Sequence, residues 1–250
     1  MATVVLTGGR GAIGSATVAA LARRRVQVIS LTRPSFDLSS LESVRLAARE
    51  LNRSGTHIDA LLNIAAVFLP EFKKTKDGFE TMLATNQLGP FLLTNLLRDR
   101  LASGGRVITV TAPSTTRVDM DQLNERDRFG SMHSFGATKA ANLMFALELA
   151  RRAKRWDVRS NAFHPGLVRS DLMRGSPGAL RFGLRLISRS PRHAGEDLAE
   201  LAISPAFAGT TGWFFKGLRR IEVPKSALDL GAQGLVWKGS ADLVELEAGF

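Results

Sequence analysis

The segment SFGATK (134–139) places Lys139 four residues after Phe135, so on a helix the two side chains share a face. With a hydroxyl at position 135 the pair would be an acid–base site. Position 135 carries a phenyl ring instead, and the chain contains no tyrosine. A second constellation, TGGRGAIG (7–14), holds Gly9-x-Gly11-x-x-Gly14 between a β-branched run and a helical pattern. Glycines in that place permit a tight turn and let backbone approach a pyrophosphate, which then sits on a helix N-terminus. Thr7, Gly8, Gly9, Arg10, Gly11, Ile13 and Gly14 are therefore candidate cofactor contacts. The alternative is a glycine-rich turn that binds nothing.

The charge after the second strand bears on which dinucleotide would fit. A binder of NAD usually ends that strand with an acid for the ribose hydroxyls. Here ISLTRP (29–34) offers Thr32 and Arg33, with Arg10 inside the glycine loop. Arginine accepts a 2′-phosphate through two parallel hydrogen bonds, whereas an acid repels it. The expected cofactor is NADP(H).

The elements that must position these residues alternate. TVVLTGG (3–9) reads as a buried parallel strand and GAIGSATVAALARRR as a helix with small residues facing it. VQVISL (26–31), HIDALLNIAAVF, GGRVITVTA (104–112) and DVRSNAFHPG read as further strands. Helices are expected over DLSSLESVRLAARELN, over DGFETMLATNQLGPFLLTNLLRDRLA with a Gly-Pro in its middle, and over 131–155. This alternation predicts one α/β domain over 1–250, a Rossmann-type doubly wound parallel sheet in three α/β/α layers. Residues 171–217 break the rhythm and are expected to form a C-terminal substrate lid, with a helix near 195–203. Within it, Arg174, Arg181 and Arg185 could meet an anionic edge of a ligand or simply form the wet side of an amphipathic helix.

Composition narrows the classes. Without cysteine there are no disulfides, thiol nucleophiles or cysteine-held metals. Four scattered histidines (57, 133, 164, 193) do not suggest a metal site. No signal-like segment precedes the first strand and no apolar run approaches the ~20 residues of a membrane span, so a cytoplasmic protein is expected. The formal charge of +11 comes from 26 arginines and eight lysines. Runs such as ARRR (22–25) and ARRAKR (150–155) fall at helix ends, where cations complement the macrodipole. A nucleic-acid face would interleave aromatics with the basic residues, and none is visible.

These motifs together resemble the short-chain dehydrogenase/reductase family, and within it the retinol-dehydrogenase-like branch. The likeness runs from residue 3 to about 172 through TGGRGAIG, DL (37–38), NIAA (63–66), TNQLGPFLLT (85–94), GRVITVTA (105–112), FGATKAANLMF (135–145) and HPGLVRSDL (164–172). The resemblance implies that Asn86 and Lys139 belong to the catalytic set, with Lys139 also holding the nicotinamide ribose. It implies that Asp37 and Leu38 line an adenine pocket. Asn63, Ala65 and Ala66 would lie beneath the nicotinamide-side ribose, and Pro165, Gly166 and Val168 would border the nicotinamide amide. Two departures stand out. The family's tyrosine position is Phe135, and its serine position is Ala112. The segment between the second strand and Asp37 is also short, so one helix and one strand of the usual topology are expected to be abbreviated.

Ketone reduction needs a hydride at carbon and a proton at oxygen. A substrate with a phenol beside its ketone can supply that proton itself, and so can solvent. Aromatic polyketides carry that arrangement, and family members without the triad that reduce such ketones (of the angucyclinone type) are the functional parallel. The expected activity is therefore NADPH-dependent reduction of a bulky polycyclic ketone in natural-product biosynthesis. Thr111, Ser114 and Phe135 are the expected substrate contacts. His133, Ser134, Thr115 and Thr116 are minor candidates for the proton or a substrate hydrogen bond. A non-redox dehydratase or cyclase on the same scaffold, or a silent NADP(H)-binding protein, are the alternatives. No metal, nucleic acid or membrane is expected as partner, and no feature sets an oligomeric state.

Overall fold

A computed structural model describes residues 1–166, 168, 190–247 and 249–250. Seven strands form one sheet in the order β2-β1-β3-β4-β5-β6-β7. These are β1 (Thr3–Thr7), β2 (Gln27–Leu31), β3 (Ile58–Asn63), β4 (Leu101–Val110), β5 (Arg159–His164), β6 (Phe214–Lys216) and β7 (Arg219–Ile221). All neighbours pair parallel except β6 and β7, which pair antiparallel. The sheet is doubly wound. Its order reverses around β1, so the carboxyl ends of β1 and β3 open the crevice where such sheets take ligands.

Alternation along the strands divides the core. Val4 and Leu6 of β1, Leu62 of β3 and Ile108 of β4 face α1 (Ala12–Arg23) and α6 (Pro191–Ile203). Val5, Leu61 and Val107 face α2 (Leu41–Arg53), α4 (Gly89–Leu96), α5 (Ser131–Arg152) and α7 (Leu230–Leu243). Both faces of the sheet are thus covered, giving three layers. Such burial on two sides is what near-continuous β-branched runs predict. Between β2 and α2 the chain makes only a turn, with Phe36 N–H donating to the Thr32 carbonyl at 3.1 Å. The expected abbreviation is present, and it leaves β2 as the edge strand.

Three expectations need correction. The long helix is three pieces: α3 (Thr81–Leu83), a π turn over Ala84–Leu88, and α4. Pro90 has no N–H for the carbonyl of Asn86 four residues earlier, so a regular helix cannot run through it. Gly89 is required because a Cβ there would lie 2.3 Å from the Leu38 carbonyl oxygen. Strand β4 begins at Leu101 rather than Gly104, since Leu101 pairs with Ile58. Of the expected lid, the described part belongs to the body of the domain. Helix α6 buries Ala194, Leu198, Leu201 and Ala202, and a Cβ on Gly195 would lie 2.5 Å from backbone of α1. Arg174, Arg181 and Arg185 lie outside the described residues.

The arginine runs serve the surface. Arg23 and Arg24 at the end of α1 pair with Glu196 on α6, and Arg151 and Arg152 at the end of α5 pair with Glu148. The exposed pairs on Glu196 contribute at most about 1 kcal/mol each, whereas Glu148 is buried and its two arginines neutralise it.

Candidate active site

The glycine loop follows β1 directly. Gly8 has φ +75°, and a Cβ there would stand 2.9 Å from Cα of Ala65. Gly11 N–H donates to the Gly8 carbonyl at 2.9 Å, closing the turn. A Cβ on Gly14 would lie 2.1 Å from that same carbonyl oxygen. Helix α1 then starts with Gly11 as its N-cap, with no side chain capping its N–H groups and no acid in its first turn. A positive helix end beside bare backbone is what a pyrophosphate needs, so these residues fit a dinucleotide. Ile13 is half-buried and packs on the α1 side of the core.

Thr7 has a structural role. It is fully buried, and its hydroxyl accepts from the N–H groups of Ile64 and Ala65, each at 3.2 Å. It ties β1 to the end of β3 and so fixes the floor beneath Ala65 and Ala66. On the β2 side, Arg10 and Arg33 are exposed and adjacent, with Arg10 Nη1 donating to the Arg33 carbonyl at 3.2 Å. Thr32 is half-buried and its carbonyl closes the following turn. Asp37 accepts from both N–H and hydroxyl of Ser39, at 3.0 and 2.8 Å. Leu38 is buried against Gly89. Asn63 is buried, donates to Thr94 Oγ1 at 3.1 Å, and keeps an unpartnered Oδ1.

At the ends of β4 and β5 a second corner forms. Lys139 on α5 is 6% exposed, with Nζ 3.5 Å from the Val110 carbonyl and 5.4 Å from the centre of the Phe135 ring. Burial alone lowers its pKa from the usual 10.5 to about 8. Phe135 packs edge-on against Phe68 of the loop after β3, centres 5.5 Å apart. Asn86 sits in the π turn, where its Oδ1 accepts from Val67 N–H at 2.8 Å and its Nδ2 donates to the Val67 carbonyl at 3.0 Å and to Thr138 Oγ1 at 3.2 Å. It thereby pins the loop that carries Phe68 to helix α5, a positioning role.

Thr111 is 2% exposed and donates its hydroxyl to the Lys139 carbonyl at 2.5 Å, so it anchors α5 to β4. Ser114 is half-buried and donates to Thr116 Oγ1 at 3.1 Å, above Gly136. Ser134 is buried and accepts from Gly130 N–H, while His133 is exposed. The sequence reading passed over His164, which ends β5 half-buried, bonded to backbone of Thr111, with Nδ1 lacking a partner. Burial lowers its pKa. The signal was present: a histidine directly before Pro165-Gly166, where Gly166 has φ +77°. Val168 packs on the α1 side of the core.

A buried lysine with a lowered pKa has a consequence for stability. Between about pH 8 and 10.5 the unfolded chain keeps a proton that folded Lys139 has released. Unfolding therefore takes up a proton there, and stability rises with pH through that window. Lys139→Met is expected to abolish the rise and to stabilise the protein at pH 7 by about 2–4 kcal/mol. Denaturant melts of both proteins across this pH range check it.

Comparison with known proteins now decides the family. Residues 2–208 match the family described as enoyl-(acyl carrier protein) reductase. Retinol dehydrogenase 14 of Mus musculus is 30% identical, the match covering 97% of this chain and 85% of that protein. The chain belongs to the short-chain dehydrogenase/reductase family. Another family relative is DnrU of Streptomyces sp. (strain C5), described as a candidate daunorubicin C-13 ketoreductase, which is 33% identical over 97% of this chain and 92% of its own. A solved structure from Mycobacterium paratuberculosis superposes with TM-score 0.79 and 28% identity, covering 100% of this chain and 96% of that one. As a short-chain dehydrogenase/reductase the protein is an oxidoreductase by family, with Phe135 and Ala112 where the resemblance expects tyrosine and serine. Among the described residues, no helix is long and apolar enough to cross a membrane.

Proposed function

We propose that the protein is an NADPH-dependent ketoreductase of a bulky aromatic polyketide ketone, working without a tyrosine acid. The observation that carries this reading is the pairing of an open glycine cradle with a buried Lys139 beside an aromatic wall. When bound, a reduced nicotinamide supplies the hydride. The chain's own residues do the rest. Gly9, Gly11 and Gly14 with the start of α1 hold the pyrophosphate. Asp37 and Leu38 bound the adenine side, and Asn63, Ala65, Ala66, Pro165, Gly166 and Val168 bound the nicotinamide side. Lys139 donates to the ribose, and Phe135 with Phe68 excludes water from one face of a flat ketone.

Two further features support a large aromatic substrate. An open cleft of about 870 Å³ adjoins the loops after β3 and before α5, lined by Phe72 and Arg126 among others. Arg126 stacks 4.8 Å over Phe72 in this otherwise polar cleft, whose lining also includes Lys73 and Lys74. The second is the likeness to DnrU, whose description names a C-13 ketone of a polyketide drug. The proton comes from substrate or solvent in this reading.

NADPH preference rests on Arg10 and Arg33. Each hydrogen bond to a charged phosphate contributes about 1.5–3 kcal/mol. The double variant Arg10→Ala/Arg33→Ala is thus expected to weaken NADPH binding by about 10²-fold or more and leave NADH binding nearly unchanged. Fluorescence titrations of both proteins with NADPH and NADH test this. Failure of the wild type to bind either nucleotide sinks the ketoreductase reading.

A further inference from the structure

We infer that Lys139 is itself the proton donor of the reduction, handing a proton from its ammonium to the ketone oxygen directly or through one water at the edge of Phe135. The inference rests on the ketoreductase reading and replaces its substrate or solvent donor with a protein one. With the hydride supplied to the carbonyl carbon by the reduced nicotinamide, the oxygen takes a proton from Nζ. The products are the alcohol and a neutral amine, and solvent recharges the amine.

Elimination carries the argument. Around this corner three hydroxyls are committed as donors: Thr111 donates to the Lys139 carbonyl, Thr138 to the Phe135 carbonyl at 2.8 Å, and Ser114 to Thr116, while Thr115 is exposed to solvent. Ser134 is buried on Gly130. Asn86 is neutral and fully used between Val67 and Thr138. The Phe135 ring has no proton to give. Nζ of Lys139, by contrast, stands beside that ring with a single 3.5 Å contact to the Val110 carbonyl. Two of its three protons therefore have no protein acceptor among the described residues.

The β4 end presents backbone of Val110 and Thr111, and the loop after β3 presents Phe68. The π turn presents neutral Asn86, and β5 presents His164, which is held on Thr111. No carboxylate contributes to the lysine's titration; burial alone does, and it brings the ammonium to about 8, close to working pH. General acids perform best when their pKa lies near the operating pH. The arrangement thus recovers at the lysine part of what the missing phenol would have done.

The test uses NADPH with α-tetralone and its peri-hydroxy derivative. Wild-type turnover is expected to fall above about pH 8. Lys139→Arg keeps a cation for the ribose but holds its proton above pH ~12. It is expected to bind NADPH within about three-fold of wild type by fluorescence, yet to lose ~10²-fold in kcat and the limb near pH 8. Carbon NMR of the eight labelled lysines gives an independent readout. One resonance should titrate near 8 and vanish in Lys139→Arg. His164→Gln should leave the limb where it is. A limb that survives Lys139→Arg, or moves in His164→Gln, overturns the assignment, as does a Lys139 resonance titrating above about 10. Loss of Lys139 dependence with the peri-hydroxy ketone alone means that the substrate's phenol is the donor. Absence of any ketone reduction by an NADPH-binding wild type instead brings down the ketoreductase reading, and this proposal with it.

Discussion

Phe135→Tyr is expected to raise kcat for aromatic ketone reduction by about 10²-fold or more, the contribution of a well-placed general acid. The backbone that would carry the phenol is already in place. Phe135 and Lys139 share a face of α5, and the lysine nitrogen lies 5.4 Å from the ring centre. An ammonium at that distance favours the phenolate and brings the phenol toward working pH. Phe135 is only half-buried, and Phe68 meets it edge-on, so one added oxygen does not have to displace core. KM should change little, because the ring's apolar contact with a flat ligand is kept. The pH profile should change shape, since the proton then leaves from a tyrosine. If kcat instead falls or stays level while NADPH still binds, position 135 serves packing and the missing hydroxyl is not what limits the reaction.

Gly14→Ala is expected to weaken NADPH binding by about 10²-fold or more. The methyl carbon would sit 2.1 Å from the Gly8 carbonyl oxygen, inside the turn that Gly11 closes on the same carbonyl. That contact involves backbone on both sides, so the loop must open rather than a side chain step aside. Opening it withdraws backbone donors from the phosphates. The loss of two charge-assisted hydrogen bonds at about 1.5 kcal/mol each already gives two decades in affinity. Overpacking of this kind also costs about 1–3 kcal/mol of stability, so the melt of the variant is measured beside its titration. A folded Gly14→Ala protein that binds NADPH as tightly as wild type would show that the loop is a structural turn and no cradle.

The parts of this protein that were readable from sequence are those set by local physics. The β-branched runs, the glycine loop and the helical periods determine β1, α1, β2 and α2 without help from elsewhere. The shortness of the chain between Leu31 and Asp37 likewise announced the abbreviated topology there. What escaped depends on partners distant in sequence. Thr7 stood out with the glycine loop and Thr111 with the hydroxyls after the fifth strand. Their hydroxyls bond to backbone of Ile64, Ala65 and Lys139, which no local pattern reveals. Gly195 reads as a weak spot in a flap until α1 is brought within 2.5 Å of it, and then α6 becomes part of the core. The π turn at 84–88 could have been anticipated from Pro90 and the carbonyl it leaves behind. His164 needed the burial that β5 and Phe214 impose before it stood out from three other histidines.

The most direct measurement mixes the protein, preloaded with NADPH, with a hydroxylated polycyclic ketone under single-turnover conditions. The absorbance of the reduced nicotinamide is followed while the product is separated by chromatography. The account predicts that the absorbance decays and that alcohol appears in equal amount, faster in Phe135→Tyr than in wild type. NADPH that stays bound and unoxidised while the ketone is unchanged, or is dehydrated or cyclised, would contradict it.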